Sequence, residues 1–190
     1  DEKVYDGTAL TNDEVTVSDD GFATGEGATY DVTGTQTAVG SSANAFTYTL
    51  NSNTKADNYT ITKVEGTLKV TELTDKVTVT ITENSGSEKY DGAEKTVTGY
   101  TVTSISNPLY TEADFEFNGD STVKGTDAGS YAMELNPADF KNTSENITNV
   151  EFVIVDGTLE ISKRTVTLTS SDDEKVYDGT ALTNDEVTVS

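Results

Sequence analysis

Few side chains in this sequence have types and spacing that could do chemistry. Ser121-Thr122-Val123-Lys124 spells S-x-x-K, the serine-nucleophile motif of penicillin-recognising enzymes. That chemistry needs a helix, whereas this stretch reads as strand, and the companion motifs S-D-N and K-T-G are absent. The carboxylate pairs Asp19-Asp20 and Asp172-Asp173 have the chemistry for acid–base catalysis or calcium binding. Catalysis would require two carboxyls in contrasting environments within one cleft. Among 34 acidic residues such pairs arise by chance, and a solvated surface is the simpler reading. No D-x-[DN]-x-[DN]-G loop is present, although calcium at unit junctions stays open because hard oxygen ligands abound. Asn58-Tyr59-Thr60, Asn142-Thr143-Ser144 and Asn146-Ile147-Thr148 are formal glycosylation sequons. An intramolecular Lys–Asn or Thr–Gln crosslink would need a buried pair beside an acid, and neither Lys69 nor Gln36 can be given that role. Phe46, Tyr48, Phe115, Phe117 and Phe140 could form a ligand platform, but their alternation with polar residues favours a core role. No residue is assigned as catalytic, cofactor-binding or metal-binding, and no cofactor is implied.

Composition narrows the classes further. The 190 residues include no His, no Cys and no Trp, so imidazole bases, thiolates, disulfides and ordinary zinc or iron–sulfur sites are excluded. A net charge of −22 argues against nucleic acid or anionic lipid as partners. No run of 18 apolar residues and no signal peptide is present, so no membrane insertion is expected of this segment. An apolar fraction of 33% would suit a disordered chain. Against that stand two Pro only, 15 Tyr and Phe together, and 35 Thr. Thr is β-branched and favours strands while its hydroxyl tolerates water, so the composition reads as a solvated all-β protein with thin cores.

The strongest signal is internal repetition. Residues 1–18, DEKVYDGTALTNDEVTVS, recur letter for letter at 173–190, an offset of 172. A diverged copy lies between them. Tyr5-Asp6-Gly7 recurs as Tyr90-Asp91-Gly92 and as Tyr177-Asp178-Gly179. The unit ends match too, Val64-Glu65-Gly66-Thr67-Leu68-Lys69-Val70 answering Val155-Asp156-Gly157-Thr158-Leu159-Glu160-Ile161. The chain is organised as repeat A (1–73), repeat B (74–163) and the beginning of a next A (164–190).

These repeats are built from strand signals. Val77, Val79 and Ile81 alternate with Thr in 76–82, predicting one apolar face, and 164–169 repeats the pattern. Phe46–Leu50 and Tyr131–Leu135 alternate as well. Residues 58–70 have the form of a tight hairpin turning at Glu65-Gly66, with a counterpart in B turning at Asp156-Gly157. The Gly of each Tyr-Asp-Gly is expected at positive φ. Asn136-Pro137 offers a helix N-cap and first turn, and Thr111–Phe115 could start another. At most two helical turns are expected in B and almost none in A, which has no equivalent of either signal. The junctions, 71–75 and 162–164, lack Gly and Pro and leave little freedom between neighbours. Charge is −9 over 1–75, −9 over 76–163 and −4 over 164–190, so each unit carries its own solvating coat.

The ordered set K-V-Y-D-G-T (Lys3–Thr8), G-T-D-A-G-S-Y (Gly125–Tyr131) and N-Y-T-I-T-K-V-E-G-T-L-K-V (Asn58–Val70) resembles the MBG/YDG repeats of bacterial surface proteins. Repeat A departs from the pattern at Gly34–Gly40. The resemblance implies a mostly-β, β-grasp-like fold with tandem domains end to end, in the stalk of an extracellular surface protein or adhesin. It also implies that first and last strands of a unit run side by side and parallel. By analogy with B, a first strand should precede Lys3. Repeat A, starting at Asp1, should therefore expose an unpaired slot, filled by residues 164–170 of a second copy or left open because the chain is a window on a longer array.

Three function classes follow. A structural stalk or fibre unit, with copies of itself as partners head to tail or as neighbouring repeats, fits the tandem units and short linkers. A binding module for a glycan, mucin or host protein is the alternative, and exposed aromatics on one face would favour it. An enzyme is not expected.

Overall fold

The computed structural model describes residues 1–190. It is mostly β, made of short strands in small open sheets with three single turns of 3-10 helix and no closed barrel. No helix is long and apolar enough to cross a membrane. The chain divides into two compact units, Asp1–Ile81 with Val102–Gly119 and Asn136–Ile154, and Thr82–Thr101 with Asp120–Leu135 and Val155–Ser190.

In the first unit, repeat A places strand Gly66–Thr71 at the centre of a three-stranded sheet. Glu2–Val4 pairs with it in parallel and Gly40–Asn44 antiparallel. Alternation with Thr67, Lys69 and Thr71 sends Leu68 and Val70 inward, where they pack with Leu10, Tyr5 and Val39. Ala28–Val32 and Phe46–Leu50 form a separate antiparallel pair. The same unit holds an aromatic core from repeat B. Phe115 lies 5.2 Å from Phe152 and 6.0 Å from Phe140, and stacks on Tyr110 at 6.4 Å. The Tyr110 hydroxyl donates to Asn142 Oδ1 at 3.0 Å, and burial raises its pKa to about 12. Repeats A and B meet here. Leu73 bridges Ile147 in parallel, and Asn146 Oδ1 accepts the Val39 N–H at 2.8 Å.

The strand Val77–Glu83 lies between Tyr100–Ile105 and Val150–Val155. Val77, Val79 and Ile81 are all fully buried, as their alternation with Thr predicts.

In the second unit, Thr158–Ser162 is central, with Gly86–Lys89 parallel on one side and Gly129–Ala132 antiparallel on the other. Lys95–Thr98 pairs with Thr122–Gly125. Tyr131 packs its ring against the bare Cα of Gly125, where a Cβ would sit within van der Waals overlap, and its hydroxyl donates to Asp127 O. Repeat A has Ser42 at that position, whose hydroxyl donates to Thr35 O at 3.0 Å. Leu168–Ser170 pairs antiparallel with Val187–Val189.

Several expectations need correction. Neither Glu65-Gly66 nor Asp156-Gly157 closes a hairpin. Residues 59–65 form no strand, and Val150–Val155 and Thr158–Ser162 belong to different sheets. In B both arms pair with distant strands, and in A only Gly66–Thr71 does. The parallel pairing of unit ends is present, but the partner of the last strand is the segment just before Tyr-Asp-Gly. The first strand of B, Val77–Glu83, lies in another sheet. The strand expected over Tyr131–Leu135 ends at Ala132, because Glu134 adopts φ 62°. Repeat A does have a 3-10 turn, Ala56–Asn58, without the Asn-Pro signal that marks Pro137–Asp139 in B. In B both expected turns form. Asn136 caps the Ala138 N–H, and Thr111 with Asp114 makes a capping box.

Candidate functional site: an open groove in the first repeat

Counting from each Tyr-Asp-Gly and from each unit end, Tyr100–Ile105 corresponds to residues 15–20 and Val150–Val155 to residues 59–64. In B these two segments flank Val77–Glu83. In A they are in no sheet, and a groove of about 520 Å³ runs between them. One wall is Val15–Phe22, the other Asn58–Lys63, and the floor carries Ala28, Tyr30, Phe46 and Tyr48. A contiguous hollow continues past Asn44 to Gly66. The unpaired slot expected in repeat A is present as an open, partly apolar channel.

Its side chains are ordered by local contacts. Phe22 meets Tyr59 edge-on at 5.2 Å, and Tyr30 meets Phe46 at 6.4 Å. The Tyr59 hydroxyl donates to Glu26 and accepts the Ala23 N–H, and the Glu26 carboxylate holds its pKa above the ordinary value. Lys63 lies 5.0 Å over the Phe46 ring while pairing with Glu65. Val17 is 53% exposed and Ile61 38%, large values for residues whose counterparts in B face a paired strand. Asn44 Oδ1 is buried with no hydrogen-bond partner, although its Nδ2 donates to Asn12 O at 2.8 Å.

The repeat B strand shows what such a channel accepts. Besides its three buried aliphatics it ends in Glu83, itself buried, whose two carboxylate oxygens accept the Leu135 N–H at 2.5 Å and the Gly157 N–H at 2.7 Å. Two backbone donors that no sheet reaches are thereby satisfied. Sequence reasoning missed Glu83. The signal was its phase, since it follows Val77, Val79 and Ile81 on the same face, where a charge must find partners.

The Tyr-Asp-Gly turns form three times. Gly7, Gly92 and Gly179 have φ of 78°, 85° and 77°. Asp6 Oδ1 accepts from the Thr8 N–H, the Thr8 hydroxyl and Lys3 Nζ, and these donors hold its carboxyl far below the usual range. Asp178 repeats the set with Thr180 and Lys175, lowering its pKa to about 2. Asp91 is lowered chiefly by Lys95 and by the Ala93 N–H, so its ammonium comes from after the turn rather than before it.

The other singled-out residues scatter. Ser121 directly precedes strand Thr122–Gly125, and Lys124 pairs with Glu94 at 3.0 Å, so S-x-x-K is extended rather than helical. Asp19-Asp20 sits on the groove wall, and Asp172-Asp173 lies far along the chain in the next repeat. No three carboxylates gather in a metal-holding group. Asn142 accepts from Tyr110 and Ser144 and donates to Ile147, and Asn146 is engaged by Val39, so two of the sequon asparagines serve internal bonds. Asn58 is exposed at the end of a 3-10 turn. Lys69 pairs with Glu2 on the surface and half-buried Gln36 donates to Ala38 O, so neither has the fully buried setting a crosslink requires. Phe115 and Phe140 are core, while Phe46 and Tyr48 form the groove floor, a correction to the core role expected for all five aromatics.

No curated protein and no solved structure matches the chain. Residues 76–163, the span that holds the filled counterpart of the groove, match the family model described as MBG domain, and the chain carries an MBG-type repeat there.

Proposed function

We propose that this chain is a structural repeat segment of a bacterial surface protein, with repeats 1–73, 74–163 and 164–190 strung end to end as an extracellular stalk. The observation that carries this reading is the parallel pairing inside each repeat. Glu2–Val4 runs parallel to Gly66–Thr71, and Gly86–Lys89 parallel to Thr158–Ser162. The chain thus leaves each repeat heading the way it entered. Pulling its ends shears the ladder, loading its cross-strand hydrogen bonds together rather than one at a time. The even acidic coat supports solubility of a long array. Force spectroscopy on the full chain tests this. Extension from the two termini should rupture at markedly higher force than extension from attachment points placed at Ala28 and Leu50, which unzips an antiparallel pair. Equal forces would overturn the reading.

A second reading, an adhesive module for a glycan or host protein, is favoured by Tyr30 and Tyr48, each more than a third exposed on the groove floor. Glycan-array binding lost on Tyr48→Ala would support it, and no binding would remove it.

A further inference from the structure

We propose that Asn118-Gly119 is a covalent modification site, the peptide at which this chain deamidates and isomerises through a succinimide. The hydrogen bonds of the Tyr-Asp-Gly turns close the same reaction at Asp6, Asp91 and Asp178. The inference stands apart from the stalk reading and involves no ligand.

The chemistry is internal to the chain and consumes only water. The Gly119 nitrogen attacks the side-chain carbonyl carbon of Asn118, and the new C–N bond closes the succinimide ring. The side-chain nitrogen takes the proton that Gly119 gives up and leaves as ammonia. Water then opens the ring. Attack at the side-chain carbonyl gives aspartate. Attack at the main-chain carbonyl gives isoaspartate, which routes the backbone through the side chain and lengthens it by a methylene. A glycine on the C-terminal side hinders the attacking nitrogen least, and Asn118 is the one asparagine of the chain followed by Gly.

The fold leaves this step open. Both residues are exposed and follow directly on strand Phe115–Phe117. Neither the Asn118 side-chain amide nor the Gly119 N–H has a hydrogen-bond partner. Glycine is held at 119 by packing, since a Cβ there would lie 2.7 Å from Asp139 Oδ2 and 2.8 Å from Phe117 Cζ.

The five Asp-Gly steps could follow the same route, and four of them are engaged. Asp6 Oδ1 accepts the Thr8 N–H at 2.9 Å and Lys3 Nζ at 2.7 Å, and Asp178 has the matching partners in Thr180 and Lys175. Asp91 accepts the Ala93 N–H at 2.9 Å and Lys95 Nζ at 2.7 Å. Aspartate closes the ring from its protonated carboxyl, and these donors hold all three carboxyls ionised and aimed past the glycine. At Asp156 the nucleophile is tied up instead, because the Gly157 N–H donates to buried Glu83 at 2.7 Å. Asp20-Gly21 is unengaged, but as a carboxyl it must expel water or hydroxide where Asn118 expels ammonia.

The product would weaken repeat B. The Asn118 N–H donates to Asp139 O at 2.9 Å, extending the antiparallel pair of Phe115–Phe117 with Phe140–Asn142. The Phe117 and Phe140 rings lie 4.7 Å apart on that pair. An added methylene at 118 falls directly beyond this contact and breaks the register there.

Peptide mapping that separates aspartate from isoaspartate reads the result. It is applied to the folded full chain and to the chain unfolded in guanidinium chloride, both aged at physiological temperature in mildly alkaline buffer. Asn118 should convert at similar rates in the two, because the fold raises no barrier. The turn aspartates should isomerise at least about tenfold more slowly in the folded chain, the worth of one pKa unit. Lys3→Ala should speed isomerisation at Asp6 alone and Lys95→Ala at Asp91 alone. Asn118→Gln should abolish conversion at that peptide. Hydrogen exchange over residues 115–118 and 140–142 should quicken in the aged chain but not in Asn118→Asp, which adds the charge without the methylene. A folded chain that keeps Asn118 while the unfolded chain converts it overturns the proposal. So does isoaspartate formed at Asp6, Asp91 or Asp178 as fast in the folded chain as in the unfolded one.

Discussion

Val15-Thr16-Val17 and Val187-Thr188-Val189 are the same three residues after the same fourteen, yet only the second set is a strand. The difference is the presence of Leu168–Ser170 beside the second. Intrinsic β-propensity is equal in the two places, so the partner decides the state. Repeat B extends the comparison. With Val77–Glu83 in place, the flanks are strands and the aliphatics are fully buried. With that position open, the flanks are irregular and their apolar side chains face water.

The widest test of this contrast compares one position in its two settings. Ile81→Ala removes a fully buried side chain and should cost about 2–5 kcal/mol. Leu168→Ala, at the matching position of the next repeat, should change the stability of the monomer by less than about 0.5 kcal/mol. Urea unfolding at dilute concentration measures both. Equal costs would mean that the register relating 168 to 81 is wrong.

Next in size is Glu83→Gln. The amide keeps one acceptor oxygen and turns its other end into a donor, facing either Leu135 N–H or Gly157 N–H. Leaving one buried donor unpaired should cost about 1–3 kcal/mol. Ser170 takes the corresponding place in the next repeat and is exposed, so Ser170→Ala should be near neutral. A neutral Glu83→Gln would show that water replaces the lost bond.

How much of this was legible in the sequence depends on the range of the contacts involved. The repeat frame, the positive φ of the Tyr-Asp-Gly glycines, the buried face of Val77–Ile81 and the Asn136 cap are local and were readable. The 58–70 hairpin does not form because Gly66–Thr71 finds its partners at Glu2–Val4 and Gly40–Asn44, far along the chain, while residues 59–65 stay outside any sheet. Phe46 and Tyr48 have the alternation of core residues, and nothing in their spacing says that they line an open groove. Asn146 read as a sequon, and only the fold reveals that it holds Val39 from the neighbouring repeat.

That bond sharpens the comparison at the A–B junction. Asn146→Ala should cost about 1 kcal/mol and speed hydrogen exchange at the Val39 amide, while the 15–18 amides, already outside any sheet, should not respond. Faster exchange at both would mean that the junction supports the groove walls.

The smallest effect lies in the acidic turns, where copies of one motif again differ. Asp6 and Asp178 take their ammonium from a lysine three residues earlier, Lys3 and Lys175, whereas Asp91 takes it from Lys95, four residues later. All three carboxyls are lowered in the folded chain, so folding weakens their hold on protons. Their contribution is complete above the unfolded carboxyl value of about 3.9. It is lost as pH falls from there through the folded value, about 2 for Asp178. The turns are solvent-exposed, so the acid limb should be shallow. The sharper readout is carboxyl titration by NMR. Lys3→Ala should raise the Asp6 midpoint and Lys95→Ala that of Asp91, while Lys89→Ala, beside Glu88 that stands in the place of Lys3, should leave Asp91 unmoved. An Asp91 that responds to Lys89 instead would show that the three turns share one ion pair and that the repeats differ less than their geometry states.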